Sequence, residues 1–462
     1  MELNHDQSIA LLRFKAFINN DKDVFILHGY AGTGKTTLIK EMIQHLKSKS
    51  CQVVLMASTG RAARVLFDRV LEPADTVHRT IYHLEETGLN KDETVRFTRF
   101  ALHESDKDVQ AVYICDESSM LSDRNNFTQE LSFGSGRLIT DLFTHVGKRK
   151  VVFVGDPSQL PPVNANFSAA LSEEYLSNEL NKTVEVAKLT QVMRYKVGTG
   201  KYENSVLLRE DIELENTQKN PKILAYSMSD FHVYSSEDQL VRSFAALTHE
   251  FGIDQMCCIA NSNAKVFNLN EQIRKFIFKD KAYKMNKGES LLVMHNNYLY
   301  NLYNGDSVTL IEASNHIETR GGVHFRQVIV QSFDKDGLYR KQCLIVEDLL
   351  HQNTPTLAND QEAMLFKDFI IRMREKGIDK KQDEKRFFDE MKSDRYLNAL
   401  RVKYGYAMTC HKAQGGEWPH VFIVLEPHLF TTLPKPHLHR WLYTAFSRAS
   451  SRVHISKNLC LR

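Results

Sequence analysis

The 462-residue sequence lacks any apolar run near the ~20 residues that a membrane-spanning helix needs. Its amino terminus, Met-Glu-Leu-Asn-His-Asp, has no secretory signal core. The seven cysteines form no C-x-x-C pair, which argues against a zinc ribbon or disulfide framework and for a reducing compartment. The nineteen histidines show no H-E-x-x-H spacing, so loop positions are favoured over a metal site. We therefore expect a cytoplasmic, nucleoid-associated protein.

A strong excess of one charge is also missing, since 60 basic and 57 acidic residues leave a net charge of +3. This balance disfavours a dedicated DNA-coating protein and supports a polyanionic partner only weakly. No internal repeat or low-complexity linker interrupts the chain. Its length is too great for one hydrophobic core and predicts about two to four domains.

Residues 29–36, Gly-Tyr-Ala-Gly-Thr-Gly-Lys-Thr, form a complete G-x-x-x-x-G-K-[ST] phosphate loop. The loop follows the apolar run 24–27 and precedes a predicted helix from Thr36 to about Lys47. Glycines in it let backbone N–H groups face phosphate oxygens, Lys35 would reach the β- and γ-phosphates, and Thr36 would bind Mg²⁺. The predicted cofactors are ATP and Mg²⁺, and the loop contacts are Gly29, Gly32, Thr33, Gly34, Lys35, Thr36 and Thr37.

Short apolar segments alternate with helical segments through the first 200 residues, which predicts a buried parallel sheet with crossover helices. The predicted strands are Val24–Leu27, Val53–Ala57, Val112–Cys115 and Val151–Val154. A second series is predicted at Met256–Ala260, Val421–Leu425 and Val453–Ser456, with a helix from Ala264 to Phe278. Ligands of such sheets bind beyond the carboxyl ends of the strands.

Polar residues follow these strands where a hydrolytic site needs them. Asp116 would hold Mg²⁺ through water, and Glu117 would orient or deprotonate the attacking water. Gln159, after the fourth strand, can bond both the γ-phosphate and that water. Arg194 and Arg448 are candidate arginine fingers, although either alone is more often a surface ion-pair partner. The predicted catalytic residues are Lys35, Glu117, Gln159, Arg194 and Arg448.

Two insertions interrupt the sheets. Residues 79–110 predict a β-hairpin with strands Tyr82–Glu85 and Thr94–Leu102, where Phe97 could stack on a nucleobase or fold back onto the domain. Residues 291–348 predict a small β unit with strands Ser307–Ile311, Val328–Ser332 and Gln342–Val346. Residues 360–400 are predicted to be helical, with an apolar stripe that favours packing over a binding surface.

The ordered motifs, especially Asp116-Glu117-Ser118-Ser119-Met120 and Gln159-Leu160-Pro161-Pro162-Val163, resemble superfamily 1 helicases of the 5′→3′ branch. That branch includes the Dda, RecD and Pif helicases, and the compactness of this chain is most similar to the phage Dda type. The resemblance implies an adenine contact by Gln7 and nucleotide contacts by Gly415 and Glu417. Segments 58–63, 76–81 and 404–417 match the DNA-contacting motifs, which implies DNA binding by Thr59, His78, Thr409 and His411. Phe97 is a further candidate DNA-binding residue because of its place in the predicted hairpin.

By this resemblance the fold is α/β, with two RecA-like phosphate-loop domains, a β-hairpin pin in the first, and an SH3-like plus helical insertion in the second. The implied domains are 1A (1–78 and 111–195), 1B (79–110), 2A (196–290 and 401–462) and 2B (291–400). The accessory β domain of 2B is expected to grip the pin.

The implied function is an ATP-dependent DNA helicase that moves 5′→3′ on single-stranded DNA and separates duplex DNA in replication, recombination or repair. Its expected partners are single-stranded, forked or tailed DNA, with a single-strand binding protein or replication and recombination factors as further candidates. We expect a monomer. The alternatives are an RNA helicase or RNP remodeller, a DNA translocase that displaces proteins with little unwinding, and a nucleotide-dependent switch without motor activity.

Overall fold

A computed structural model describes residues 3–91, 96–104, 110–128, 130–226, 228–297, 299–334, 337–458 and 460–461. The elements up to residue 189 are, in chain order, α1 (His5–Ile18), β1 (Val24–Gly29), α2 (Lys35–Ser48), β2 (Gln52–Ala57), α3 (Gly60–Val70), β3 (Ala74–Thr76), α4 (Val77–Ile81), β4 (Tyr82–Leu89), β5 (Arg96–Leu102), β6 (Ala111–Asp116), β7 (Leu131–Phe133), α5 (Leu138–Val146), β8 (Lys150–Gly155), α6 (Glu173–Asn178) and β9 (Val184–Leu189).

One parallel sheet organises this half of the chain, in the order β3-β2-β6-β8-β1-β9. The four strands predicted to begin at residues 24, 53, 112 and 151 correspond to β1, β2, β6 and β8. They form the centre of this sheet, which confirms the prediction of a parallel sheet. Their apolar residues are buried against helices on both faces. The flanking strands β3 and β9 were not predicted, because β3 spans three residues and β9 alternates charged with apolar side chains. This sheet and its helices are called lobe 1.

The predicted hairpin exists, and its first strand is longer than expected. Strands β4 and β5 pair antiparallel from Tyr82↔Leu102 to Leu89↔Arg96, so the first strand extends beyond Glu85 into the segment predicted to be a turn. Residues 92–95, at its tip, lie outside the described residues. Strand β7 pairs parallel to β5, so this hairpin sheet also draws on residues beyond the predicted insertion.

The second half of the chain contains α7 (Gly200–Glu213), β10 (Phe231–Tyr234), α8 (Glu237–Phe251), β11 (Met256–Ala260), α9 (Asn263–Phe278), β12 (Ser290–Val293), β13 (Ser307–Arg320), β14 (Val323–Asp334), β15 (Gly337–Val346), α10 (Asn359–Glu375), α11 (Glu384–Ser393), β16 (Val402–Tyr404), β17 (Ala407–Thr409), α12 (Cys410–Ala413), β18 (Trp418–Ile423), α13 (Leu429–Thr432), α14 (Lys435–Phe446) and β19 (Ala449–Ser456).

These elements build a second parallel sheet, in the order β10-β19-β18-β11-β17, which with its helices is called lobe 2. Its series begins at β10 rather than at the predicted Met256, and β17 precedes the predicted Val421 strand. Both were missed because they are only four and three residues long.

An antiparallel sheet in the order β15-β14-β13-β12-β16 is inserted into lobe 2. Its predicted strands are present, and β13 and β14 continue past their predicted ends as a long ribbon. The predicted apolar stripe of α10 is buried at Phe366, Phe369 and Met373, against sheet residues that include Phe325. The stripe is therefore core, as predicted. Among the described residues, none of the helices has the length and apolar character that crossing a membrane requires.

A chain of polar rings lies between three strands of lobe 2. The Tyr234 hydroxyl is 3.0 Å from His454 Nδ1, and His454 Nε2 is 3.1 Å from His420 Nδ1. Burial, together with the nearby His420, His232 and Arg452, lowers the pKa of His454 to about 3. The contact between the two histidines requires that one of the two facing nitrogens carry no proton.

We predict that acid destabilises the protein through His454. Between pH 6.5 and 3 the unfolded chain binds a proton that the folded His454 does not, so stability falls as pH falls through this window. The thermal unfolding midpoint should drop by about 1–2 °C per pH unit below pH 6. His454→Gln should flatten this slope and the exposed His249→Gln should not; equal slopes in both variants would contradict the assignment.

Candidate active site

The loop after β1 bends through two left-handed glycines, Gly32 and Gly34, with φ near +81° and +80°. A β-carbon at Gly34 would lie 2.4 Å from Gln7 Nε2, and one at Gly32 would lie 2.7 Å from Arg194 Cβ. Both positions therefore require glycine for backbone conformation and for space. Gly29 has another role, since a β-carbon there would lie 2.7 Å from Lys35 Cγ, so its absence leaves room for the lysine.

Lys35 begins α2, and its Nζ donates to the carbonyls of Gly29 (2.7 Å) and Tyr30 (3.2 Å). The buried carboxylates of Asp116 and Asp156 lie near this ammonium. Burial raises the pKa of both, that of Asp116 also through the charge of Glu117, while Lys35 opposes the shift. A cation and two carboxylates thus meet where the strands β1, β6 and β8 end.

Glu117 directly follows β6 in a left-handed conformation, with φ of +51°. Among the described residues, Glu117 Oε2 and Gln159 Oε1 are buried and have no hydrogen-bond partner. Buried acceptors usually have a donor, and a bound water or ligand would provide one. The two residues predicted to handle water thus each have an oxygen that is free to accept a hydrogen bond.

A cleft of about 920 Å³ lies between the two lobes and joins these groups. Predicted residues that line it are Gln7, Gly32, Gly34, Lys35, Thr36, Thr37, Asp116, Glu117, Gln159, Arg194, Gly415, Glu417 and Arg448. Gly29 and Thr33 lie behind the loop, where the Thr33 hydroxyl donates to Tyr30 O at 2.8 Å. The cleft wall brings together residues more than 400 positions apart.

The two candidate fingers reach the cleft from opposite lobes. Arg194, after β9, lies 3.2 Å from the Glu417 carboxylate of lobe 2, and Arg69 of α3 lies 3.4 Å from the same carboxylate. Arg448 is buried, and its guanidinium donates to Gly416 O (3.3 Å) and to the Ser447 hydroxyl (2.9 Å). Arg194 and Arg448 therefore face one cleft.

Gln7 occupies the other end of the cleft, within the first turn of α1. Its amide oxygen accepts from Asn4 N at 3.0 Å, and its Nε2 donates to Thr33 O at 3.1 Å. The side chain thus caps α1 and braces the phosphate loop. The second hydrogen of the Gln7 Nε2 amide remains available to donate to a ligand.

Comparisons with known proteins agree with this geometry. The family model of an AAA domain matches residues 2–220, and that of the UvrD-like helicase C-terminal domain matches residues 404–456. The ATP-dependent DNA helicase dda of Enterobacteria phage T4 is 25% identical over 91% of this chain and 92% of its own length. The chain is therefore similar to an ATP-dependent DNA helicase over most of its length, and its carboxyl-terminal part is similar to a helicase domain.

Two further similarities extend over nearly the whole chain. A protein of Methanocaldococcus jannaschii is 23% identical over 98% of this chain, which spans only 38% of that relative's length. The crystal structure of Pif1 helicase from Candida albicans is similar over 99% of this chain and 95% of its own chain. The sequence identity is 15% and the TM-score is 0.49.

The residues expected to contact DNA lie in different surroundings. Thr59 and Thr409 each follow a parallel strand and cap a helix, with the hydroxyl oxygen accepting from Ala62 N (3.2 Å) and Lys412 N (3.4 Å). Each lobe thus has a threonine that caps the helix after a parallel strand. Each hydroxyl hydrogen is left to donate to a further acceptor.

The two histidines fit a phosphate contact less well. His78 packs against Phe133 and Tyr82, with ring centroids 5.1 and 5.8 Å away, and burial lowers its pKa to about 4. Burial, with the nearby His437, also lowers the pKa of His411 to about 4. Neither ring carries a positive charge at neutral pH, so neither can act as a cation toward DNA.

Phe97 folds over its own hairpin, because a β-carbon at Gly88 would lie 3.1 Å from its ring and Arg99 lies 5.1 Å from the ring centroid. Phe100 turns inward and stacks on Phe133 at 4.6 Å. The sequence left open whether the aromatics stack on a base or fold back. Phe100 folds back, and Phe97 is only partly buried.

A relay between the lobes was missed by the sequence analysis. Ala31 N, in the phosphate loop, donates to the Tyr443 hydroxyl of α14 at 3.2 Å, and that hydroxyl donates to Asp156 at 2.7 Å. Asp156 directly follows β8 of lobe 1, and Tyr443 lies in α14 of lobe 2. Their contact could not be predicted, because 287 positions separate them.

We predict that Tyr443→Phe destabilises the folded protein by about 1–3 kcal/mol, because it removes a donor from the buried Asp156. The lowered thermal unfolding midpoint would measure this loss. Tyr195→Phe is the matched control, since Tyr195 is also buried but donates one longer bond, to Ser447 O at 3.3 Å. A loss in the control as large as in Tyr443→Phe would contradict the relay.

Proposed function

We propose that the protein is an ATP-dependent DNA helicase that moves 5′→3′ along single-stranded DNA and separates duplex DNA. The observation that carries the proposal is the cleft shared by both lobes, with the phosphate loop and Arg194 on one wall and Arg448, Gly415 and Glu417 on the other. A nucleotide bound there would contact both lobes, so its hydrolysis would change how they sit together. The T4 relative is named as an ATP-dependent DNA helicase, which supports this activity.

The domains are proposed on the same basis. Lobe 1 corresponds to domain 1A (1–78 and 111–195), the hairpin to 1B (79–110), lobe 2 to 2A (196–290 and 401–462) and the antiparallel sheet with α10 and α11 to 2B (291–400). Strands β12 and β16 both belong to the inserted sheet. Because β12 begins at Ser290 and β16 ends at Tyr404, the boundaries between 2A and 2B move outward by one residue and by about four residues. Strand β7 of lobe 1 completes the hairpin sheet.

For hydrolysis, Lys35 and the loop amides would hold the phosphates, and Thr36 with Asp116 would hold Mg²⁺. These oxygens fit a Mg²⁺ that takes its other ligands from phosphate and water. Bound Mg²⁺ would neutralise charge on the phosphates. Glu117 and Gln159 would orient water through their unsatisfied oxygens, while Arg194 and Arg448 would stabilise the charge that develops. Glu417 would have to release Arg194 for that role.

For movement, Thr59 and Thr409 would each donate to a DNA phosphate, one from each lobe. Lobe closure would change the distance between them, which is how a two-lobed motor steps. Their helix-cap geometry supports this role, whereas His78 and His411 would contribute packing rather than charge.

For strand separation, the hairpin would act as the pin. Its Leu84 and Leu89 pack against the cluster that contains Phe366 and Phe369 of α10, and Lys380 Nζ donates to Thr87 O at 3.4 Å. The helical part of 2B would therefore share in gripping the hairpin with the β part, to which the expectation assigned this role. Melting a base-pair step costs about 1.4 kcal/mol, and stacking one base returns about 1–3 kcal/mol. A single aromatic could offset melting locally.

Unwinding of two partial duplexes, one with a 5′ single-stranded tail and one with a 3′ tail, tests the proposal in the presence of ATP and Mg²⁺. We expect only the 5′-tailed duplex to open. Opening of only the 3′-tailed duplex would overturn the polarity. Failure to open either, despite DNA-stimulated ATP hydrolysis, would favour the protein-displacing translocase, and stimulation by RNA alone would favour the RNA helicase.

We predict that Lys35→Ala lowers ATP hydrolysis at least about a hundredfold, because it removes the cation that meets the β- and γ-phosphates. Phosphate release in the presence of single-stranded DNA measures this. Lys47→Ala on the same helix is the control, since Lys47 is half exposed and pairs with Glu72. Normal turnover in Lys35→Ala would refute the phosphate-loop assignment.

We predict that Phe97→Ala reduces duplex unwinding several-fold and retains most DNA-stimulated ATP hydrolysis, since the hairpin lies apart from the cleft. Unwinding and hydrolysis are measured on the same 5′-tailed substrate. The exposed Phe127→Ala, outside the hairpin, should affect neither. An unchanged unwinding rate in Phe97→Ala would reject the pin role of this ring.

A further inference from the structure

Helix α3 presents three arginines to lobe 2 and its insertion, and each has a different partner. Arg69 lies 3.4 Å from the Glu417 carboxylate, and Arg64 lies 3.3 Å from Asp306 in the turn before β13. Arg61 instead lies over the Trp418 ring, with Cζ 4.4 Å from its centroid. Two of the three charges are thus balanced by carboxylates.

Arg61 makes no such ion pair among the described residues, although the more distant Asp306 carboxylate favours its charged form. Its guanidinium is buried, its Nη1 lacks a hydrogen-bond partner among the described residues, and burial lowers its pKa. An arginine nevertheless stays protonated in a protein. The Trp418 ring compensates only part of the lost hydration, because a cation–π contact is weaker than an ion pair with hydrogen bonds. The site therefore favours a nearby anion.

Arg61 lies at the catalytic end of the cleft. It lines the same cleft as Lys35, Glu117 and Gln159. A β-carbon at Gly415 would lie 3.3 Å from Ala62 Cβ and 4.0 Å from Glu117 Cγ, which places the first turn of α3 beside Glu117. Gln7, at the expected adenine end, approaches Gly34 instead.

Lobe 2 is shaped to admit this guanidinium. A β-carbon at Gly416 would lie 3.1 Å from Arg61 Cζ and 2.5 Å from the Trp418 ring. A side chain at position 416 would therefore collide with the stacked pair. Because Trp418 and Gly416 belong to lobe 2, the stacked position of Arg61 exists only while the lobes are together.

We propose that Arg61 is a further phosphate-binding residue, which contacts the terminal phosphate of a bound nucleoside triphosphate and is held in place by Trp418. This assignment rests on the proposed nucleotide-binding function. It differs from the DNA-contacting role that family resemblance gives to segment 58–63. A nucleoside diphosphate, which lacks the terminal phosphate, would gain little from Arg61.

Equilibrium binding to the full chain tests this assignment, with Mg²⁺ present and with ADP, a nonhydrolysable ATP analogue and single-stranded DNA as ligands. Arg61→Met keeps the length of the side chain and removes its charge. We expect its affinity for the ATP analogue to fall about tenfold or more, as for loss of a charged hydrogen bond. Its affinities for ADP and for DNA should stay within about twofold.

A double variant, Arg64→Met with Asp306→Asn, is the matched control. It removes a charged contact between the same helix and the inserted sheet, outside the cleft, and leaves no buried carboxylate unpaired. Arg61→Lys, which keeps the charge but loses the planar stacking group, should show a smaller loss with the same preference for the triphosphate. If Arg61→Met fails to fold, the binding measurements are made on Arg61→Lys instead.

Three results would overturn the assignment. Equal losses for ADP and the ATP analogue, or the same loss in the matched control, would mean that Arg61 only packs the lobes together. A loss confined to DNA would assign the guanidinium to a DNA phosphate. Failure of the unaltered protein to bind any nucleotide would refute the proposed function as well, and is thereby distinguished from a failure seen only in the Arg61 variants.

Discussion

The arrangement of the site depends on hydrogen bonds that α14 of lobe 2 makes to the turn after β8 of lobe 1. Tyr443 donates to Asp156, and the Thr444 hydroxyl accepts from Leu160 N at 2.9 Å. From the preceding motif, Gln414 Nε2 donates to Leu160 O at 3.0 Å. These bonds are buried, so each broken one would leave a polar group without a partner. The turn carries Gln159, and its position therefore depends on where lobe 2 lies.

Repulsion between arginines opposes closure of the two lobes, whereas the hydrogen bonds of α14 favour it. Arg61, Arg69 and Arg194 of lobe 1 meet Arg448 of lobe 2 across the cleft. Glu417 balances two of these cations, and Trp418 provides a ring face for a third. In a poorly hydrated cleft the remaining repulsion is significant. A polyanion would remove it, so the same arginines that could stabilise phosphate chemistry would also make lobe closure depend on what is bound.

Local sequence patterns were enough for the centre of lobe 1 and for the phosphate loop. Apolar runs such as Val24–Leu27 specify buried strands by composition, and the glycine spacing specifies the loop by conformation. Short strands such as β17 carry too few residues for a pattern, and they exist because neighbouring strands pair with them. The burial of His78 was missed for the same reason, since Phe133, one of the rings that covers it, lies 55 positions away.

The sequence by itself determined which chemistry this protein can hold: a loop of amides with Lys35, an acidic pair at the end of a strand, and glutamine and arginine residues in recognisable motifs. Those features are short and contiguous, so backbone preference and strand ends place them. Only the tertiary structure decided which distant groups share the cleft. It brought Tyr443 to the phosphate loop, Glu417 to Arg194 and Arg61 to Trp418, because packing of two sheets, and not local conformation, sets distances between residues hundreds of positions apart.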